Sequence, residues 1–193
     1  MSDDRLLASK RAWERSKSPA DEAAYLRERV RAGELDPARL ELAAYCGHDA
    51  ARLAHGGDAG ANTDLRFTIT WLKRLLGAAP PIATRAAVIY AQQAHLAALE
   101  GFGQGLVDAL LDWTAAPTPE AVARIHRETE AVLEAAEARD LPAAREAAQV
   151  LIQAALVAEG LPWSLVDEVP PPKALRAVRD AIKAELAPWL LGS

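Results

Sequence analysis

Cysteine and long apolar runs are scarce in this chain. Cys46 is the only cysteine among 193 residues, so no disulfide can form within the chain, and a cytoplasmic location is expected. No run of about 18 uninterrupted apolar residues occurs, and no apolar signal-peptide core follows the acidic start of the sequence. The sequence therefore predicts neither a membrane span nor a secretion signal.

Basic residues are fewer than acidic residues in this chain. The chain has 22 lysine and arginine residues against 27 aspartate and glutamate residues, which gives a net charge of −5. A negative balance disfavours general affinity for phosphate backbones and for anionic lipid surfaces. We therefore expect neither nucleic acid nor membrane as a partner, whereas an acidic chain of this kind suits a basic protein partner.

Residues that favour β-strands are sparse, and residues that favour helices dominate. Hydrophobic residues make up 51% of the chain but aromatic residues only 5%, because the apolar content is mainly alanine and leucine. These two residues stand near the top of the helix-propensity scale. The sequence predicts an all-α fold of eight to ten short and medium helices in antiparallel hairpins, as a bundle or an irregular α-solenoid.

Proline and glycine mark the ends of most predicted helices. A capping residue followed by proline begins three of them, at Ser18 and Pro19, at Asp36 and Pro37, and at Thr118 and Pro119. A further short helix is predicted to begin at His48 and Asp49 and to end at Gly56. We expect Pro188 to end the last helix, because proline cannot continue one.

Two stretches bear on the organisation of the chain. Residues 56–63 are rich in Gly, Asp and Asn and predict an exposed loop. Apolar residues at helical spacing follow and predict a helix, although a short strand over residues 67–71 is the alternative. We predict one domain over residues 1–193, with a weak division near 56–63 and the C-terminal helix 173–187 as an appendage.

The histidines are the first candidates for catalysis or metal binding. His95 lies with Gln92 and Gln93 on a largely apolar predicted helix, and these three residues are candidate contacts for a small ligand. His126 and Glu130 lie four positions apart, which places them on one helix face. A metal site needs more ligands than this pair, and the sequence does not identify them. It therefore predicts no metal and no cofactor.

Three other motifs are candidates for chemistry or for partner binding. Cys46 lies near His48 in the sequence, but no third group is placed to orient a nucleophile, so a buried thiol is expected. Residues 101–105 (GFGQG) follow a predicted helix instead of a strand, which favours a helix–helix turn over a phosphate loop. Trp163 lies in a proline-bounded connection and is the tryptophan that we expect to contact a partner.

Four segments carry a resemblance to known proteins: residues 25–35 (YLRERVRAGEL), 39–52 (RLELAAYCGHDAAR), 109–113 (ALLDW) and 143–158 (AAREAAQVLIQAALVA). They resemble uncharacterised alanine-rich helical proteins of myxobacteria and related GC-rich bacteria. They are also similar to proteins labelled as immunity proteins of bacterial toxin systems, although the histidine of the alanine helix in those proteins is missing here. The resemblance implies an all-helical bacterial protein with a protein-binding or unknown role, and it provides no catalytic residues.

These observations favour a non-enzymatic helical protein-interaction module or scaffold. Its motifs do not combine into a catalytic site, and amphipathic helices provide the faces and grooves that protein partners bind. One alternative is a toxin-neutralising immunity protein. Another is a small-ligand-binding protein or enzyme with a site near His95. The oligomeric state stays open, because alanine faces pack equally well within a chain and between chains.

Overall fold

A computed structural model describes residues 2–56, 68–99, 102–139, 142–161 and 172–192. All regular secondary structure in these ranges is helical, so the predicted all-α fold is confirmed. The elements are α1 (Ser2–Ser16), α2 (Pro19–Arg31), α3 (Pro37–Tyr45), α4 (Asp49–His55), α5 (Thr68–Leu76), α6 (Pro80–Leu99), α7 (Gln104–Ala115), α8 (Pro119–Arg139), α9 (Pro142–Ala158), α10 (Pro172–Ala181), a π-helical turn (Ile182–Leu186) and α11 (Ala187–Leu191).

The predicted helix starts are confirmed where a side chain caps the first turn. The Ser18 hydroxyl accepts a hydrogen bond from the Asp21 N–H at 3.2 Å, and the Asp36 carboxylate accepts one from the Ala38 N–H at 2.8 Å. These caps satisfy N–H groups that the first turn of a helix leaves without a partner. The alternative of a strand over residues 67–71 is wrong from Thr68 onward, because α5 begins there.

The chain divides into two compact units. The first unit contains residues 1–62 together with residues 182–193, and the second unit contains residues 63–181. The single domain predicted from the sequence stays a prediction.

In the first unit, short helices pack around a small apolar core. The rings of Trp13 on α1 and Tyr25 on α2 stack with their centroids 5.3 Å apart. Leu26 and Ala43 are buried, as is Cys46 at the end of α3. α2 and α3 both pack against α4, and α11 packs against α3, so these helices enclose the core of the first unit.

In the second unit, α6 is the central helix and packs against α5, α7, α9 and α10. Ala83, Ala87 and Ala91 recur every four residues along one face of α6 and are fully buried or nearly so. Side chains this small let neighbouring helix axes approach closely, so the interface consists of many contacts that each bury little area. Leucines such as Leu106 and Leu151 on the neighbouring helices provide the larger buried side chains.

The predicted end of the last helix at Pro188 is wrong. α10 ends at Ala181, a π-helical turn covers Ile182–Leu186, and α11 continues to Leu191 with Pro188 in its first turn. Proline has no N–H to donate within an α-helix, but this lack costs nothing in the first helical turn. The helical backbone runs without a break from α10 through the π-helical turn into α11.

Within the glycine-rich residues 101–105, Phe102 and Gly103 lie between α6 and α7, Gln104 and Gly105 begin α7, and Gly101 lies outside the described residues. Gly103 caps α7 with φ of 85°, a left-handed conformation that glycine adopts readily. A Cβ on Gly105 would collide with the carboxylate of Glu128 on α8. A carboxylate of the chain itself therefore occupies the space beside the first turn of α7.

Among the described helices, none combines the length and apolarity needed to cross a bilayer.

Candidate functional site

A cleft of about 400 Å³ lies between α2, α3 and α4 in the first unit. The residues that line it are Arg27, Val30, Pro37, Ala38, Leu40, Glu41, Ala54 and His55. We call this feature the α2–α3–α4 cleft. It forms where the N-terminal half of α3 and the C-terminal end of α4 meet the second half of α2.

The walls of the cleft are mostly apolar. Val30 is half-buried and Leu40 is 6% exposed, so they form the deeper part, whereas Pro37 and Ala38 are exposed at the start of α3. Proline is favoured in the first turn of a helix, and alanine beside it leaves space that a larger side chain would fill. The signal that begins α3 in the sequence therefore also shapes the opening of the cleft.

Arg27 is a polar side chain of the cleft that hydrogen bonds hold in place. Its Nη2 donates a hydrogen bond to the Leu53 carbonyl at 3.0 Å, and its Nε donates one to the Ala54 carbonyl at 3.3 Å. The last carbonyls of a helix have no partner within it, and they carry a partial negative charge that a guanidinium complements. These two bonds hold the charge of Arg27 at the edge of the cleft.

Two further polar groups and one exposed leucine surround the opening. Glu41 lines the cleft from α3 and is half-buried, and His55 lines it from the end of α4 and is exposed. Leu53 directly precedes Ala54 and is 52% exposed. Apolar walls with charged groups at the edge have the composition of a protein-binding surface.

None of the candidate residues predicted from the sequence is among the described residues that line the cleft. Gln92 and Gln93 are half-buried on α6, in the second unit. His95 belongs to the same helix, but its side chain lies outside the described residues, as does the whole of Trp163. A ligand site near His95 and a partner contact at Trp163 both stay predictions.

Two other histidines have structural partners. Nδ1 of His48 accepts a hydrogen bond from the Ala51 N–H at 3.3 Å and thereby caps α4. Nε2 of His126 lies 2.6 Å from Oε1 of Glu159 in an exposed pair between α8 and the end of α9. Within the part of the chain that the structure describes, no three His, Cys, Asp or Glu side chains are grouped to hold a metal ion.

Cys46 is a core residue whose thiol is a weaker acid than usual. It is 3% exposed, and burial raises the pKa of its thiol from 9.0 to about 12. Only the thiolate is a good nucleophile, so a thiol with this pKa stays unreactive at neutral pH. This agrees with the structural role expected of Cys46.

The cleft residues were not among the sequence candidates. Arg27 is 26 positions from Leu53, the residue whose carbonyl it contacts, and no short motif links them. Arg29 and Arg39 were missed as well, although each donates a hydrogen bond to a backbone carbonyl of α11. A count of arginines on α2 and α3 would have found them as a cluster without indicating their partners.

Comparison of the chain with family models, curated proteins and solved structures finds no match.

Proposed function

We propose that the chain is a non-enzymatic helical interaction module that binds another protein through the α2–α3–α4 cleft. One observation carries the proposal: an open, apolar-walled cleft lies beside an exposed leucine, Leu53, and the guanidinium of Arg27 is fixed at its edge. Protein interfaces combine an apolar centre with a polar rim, and arginine is enriched at their strongest contacts.

The size and openness of the cleft support a short protein segment as its occupant. A volume of about 400 Å³ accommodates a few aliphatic side chains, such as one turn of a helix or a short loop. Leu53 does not line the cleft, but it directly precedes the lining residue Ala54 and is 52% exposed, so a small molecule bound in the cleft would leave this leucine exposed. This supports a protein segment as the occupant over a small ligand.

The test is site-specific photo-crosslinking with a matched control. Ala38 and Ala20 are both exposed alanines that follow the proline in the first turn of a helix, but only Ala38 lines the cleft. A photoreactive amino acid at position 38, introduced in the native cells, is expected to link a protein that the same amino acid at position 20 does not link.

Each outcome decides between the functions. A defined partner linked only through position 38 supports the module, and a toxin as that partner makes the chain an immunity protein. Equal linking through both positions, or none through position 38, overturns the proposal. A small molecule that raises the melting temperature without any crosslinked partner favours the alternative of a ligand site near His95.

A further inference from the structure

Arg27 lines the α2–α3–α4 cleft with only part of its guanidinium in use. A guanidinium has five N–H donors in a fixed, planar arrangement. One donor on Nε and one on Nη2 bond to the carbonyls of Ala54 and Leu53. The other three donors, on Nη1 and Nη2, have no partner among the described residues, and Arg27 is exposed. One edge of the group therefore holds it in place, and the Nη1–Nη2 edge stays open to a partner.

The positive charge of Arg27 is not paired with a carboxylate of the described residues, because both of its acceptors are neutral carbonyls. Two carboxylates belong to the same region. Glu41 lines the cleft, but it already has an interaction within the chain. Asp36 precedes the lining residue Pro37, and its carboxylate accepts the Ala38 N–H at 2.8 Å. An unpaired cation at the edge of an apolar cleft is complementary to an anion on the partner.

The apolar walls of the cleft select a second group on the same partner. Val30 and Leu40 form the deeper part, and Pro37 and Ala38 lie at the opening. An aliphatic side chain that enters this space leaves water, which favours binding in proportion to the apolar area that becomes buried. An anion alone would leave these walls in contact with water. The cleft therefore suits a segment that carries an apolar side chain close to a negative charge.

The hydrogen bonds of Arg27 also lower the cost of binding an anion. A long side chain that becomes ordered only on association loses its rotamer freedom at that moment. Arg27 is already held by the carbonyls of Leu53 and Ala54 in the free chain. Arg52 is also exposed, on α4, but it has no hydrogen bond or ion pair among the described residues and does not line the cleft. A carboxylate is therefore expected to bind more strongly at Arg27 than at Arg52.

We propose that the cleft binds an acidic protein segment, which packs an apolar side chain against Val30 and Leu40 and pairs an aspartate or glutamate with the Nη1–Nη2 edge of Arg27. This inference rests on the proposed function and adds the chemistry of the partner. Two parallel N–H···O bonds from a guanidinium to a carboxylate are charge-assisted and also fix the orientation of the partner. The net charge of −5 favours a basic partner for the chain as a whole, and the cleft reverses this preference locally.

The probe is a library of random short peptides displayed on phage and selected on the full chain. Peptides that bind the wild type but not Ala38→Trp bind through the cleft, so their recovery tests the proposed function. Among these peptides we expect an aspartate or glutamate close to an aliphatic residue. A cleft-dependent set that is basic, or that lacks acidic residues, overturns the proposal and leaves the proposed function standing. A selection that yields no cleft-dependent peptide counts against both.

A selected peptide then measures the contribution of Arg27. Replacing its acidic residue by the corresponding amide keeps the shape and removes the charge, and calorimetry is expected to show a Kd at least about tenfold higher on the wild type. The two peptides should bind Arg27→Gln with similar Kd values, whereas Arg52→Gln should behave as the wild type. Because the peptide exchange leaves the chain unaltered, it decides the question even if Arg27→Gln destabilises α4. Equal Kd values for the two peptides on the wild type overturn the proposal.

Discussion

Arg39 holds Trp189 through two different contacts. Its Nη2 donates a hydrogen bond to the Trp189 carbonyl at 2.9 Å, and its guanidinium lies over the indole ring at 5.1 Å. The two residues are 150 positions apart, so this contact joins the start of the chain to its last helix. The Arg39 Nε is buried and has no hydrogen-bond partner among the described residues.

Replacing Arg39 by lysine tests whether the planar guanidinium matters here. Lysine keeps the charge but cannot direct a hydrogen bond to the carbonyl while it lies flat over the ring. We expect Arg39→Lys to lower the free energy of unfolding by about 1–2 kcal/mol, measured by urea denaturation. The exposed Arg52→Lys is the control, expected to stay within about 0.5 kcal/mol of wild type. Equal effects of the two variants would remove the special role of Arg39.

We expect a threonine-to-valine substitution to have opposite effects on stability at two buried threonines of the second unit. The Thr84 hydroxyl is fully buried and has no hydrogen-bond partner among the described residues. Thr114 donates a hydrogen bond to the Leu111 carbonyl at 2.8 Å and accepts one from Arg85. Because burying an unpaired hydroxyl is costly, we expect Thr84→Val to raise the free energy of unfolding by about 1 kcal/mol. Thr114→Val is expected to lower it by a similar amount. Thermal and urea unfolding measure both, and destabilisation by Thr84→Val would show that its hydroxyl is paired.

The His48 ring is predicted to act as a helix cap. Its Nδ1 accepts the Ala51 N–H, which places the proton of the neutral ring on Nε2, 3.7 Å from Glu22. Asparagine also caps well, so the free energy of unfolding of His48→Asn is expected to stay within about 0.5 kcal/mol of wild type. His48→Ala is expected to lower that free energy by about 1 kcal/mol. Circular dichroism during thermal unfolding measures the difference. If both variants lose the same amount, the contact with Glu22 is the stabilising one.

Burial of Cys46 predicts that stability falls in alkaline solution. The folded state raises the pKa of the thiol from 9.0 to about 12, so above pH 9.0 the unfolded chain loses this proton first. The stability that this group contributes is present below pH 9.0 and is lost as the pH rises towards 12. Between pH 8 and pH 10 the free energy of unfolding of the wild type should fall by about 1.4 kcal/mol more than that of Cys46→Ala. Parallel urea titrations of the two proteins check this, and an equal loss in both would mean that the thiol ionises in the folded state.

The predictable part of the fold is the part with local causes. Ser18 and Asp36 cap their helices through bonds that span two or three residues, so a short pattern contains the whole interaction. The helix beyond Pro188, by contrast, depends on residues that are distant in the sequence. Pro188 stops a helix in isolation, but Arg39 and Arg29 bind the carbonyls of the residues beyond it. No local pattern at Pro188 reveals those partners.

The candidate site was unpredictable for a related reason. The α2–α3–α4 cleft depends on where three short helices end relative to one another and on the contact of Arg27 with the end of α4. Each lining residue has an ordinary local role in the sequence. Pro37, for example, is a helix start, and its place at the cleft follows only from the packing of α3.

The most direct test of the interaction module is the affinity of a crosslinked partner for two tryptophan variants. Ala38→Trp places a large ring where the cleft opens, and Ala20→Trp makes the same change in the first turn of α2, away from the cleft. Isothermal titration calorimetry is expected to show a Kd at least about tenfold higher for Ala38→Trp, a loss of about 1.4 kcal/mol of binding free energy. The Kd for Ala20→Trp should be unchanged. An unchanged Kd for Ala38→Trp, or equal losses in both variants, would contradict binding through the cleft.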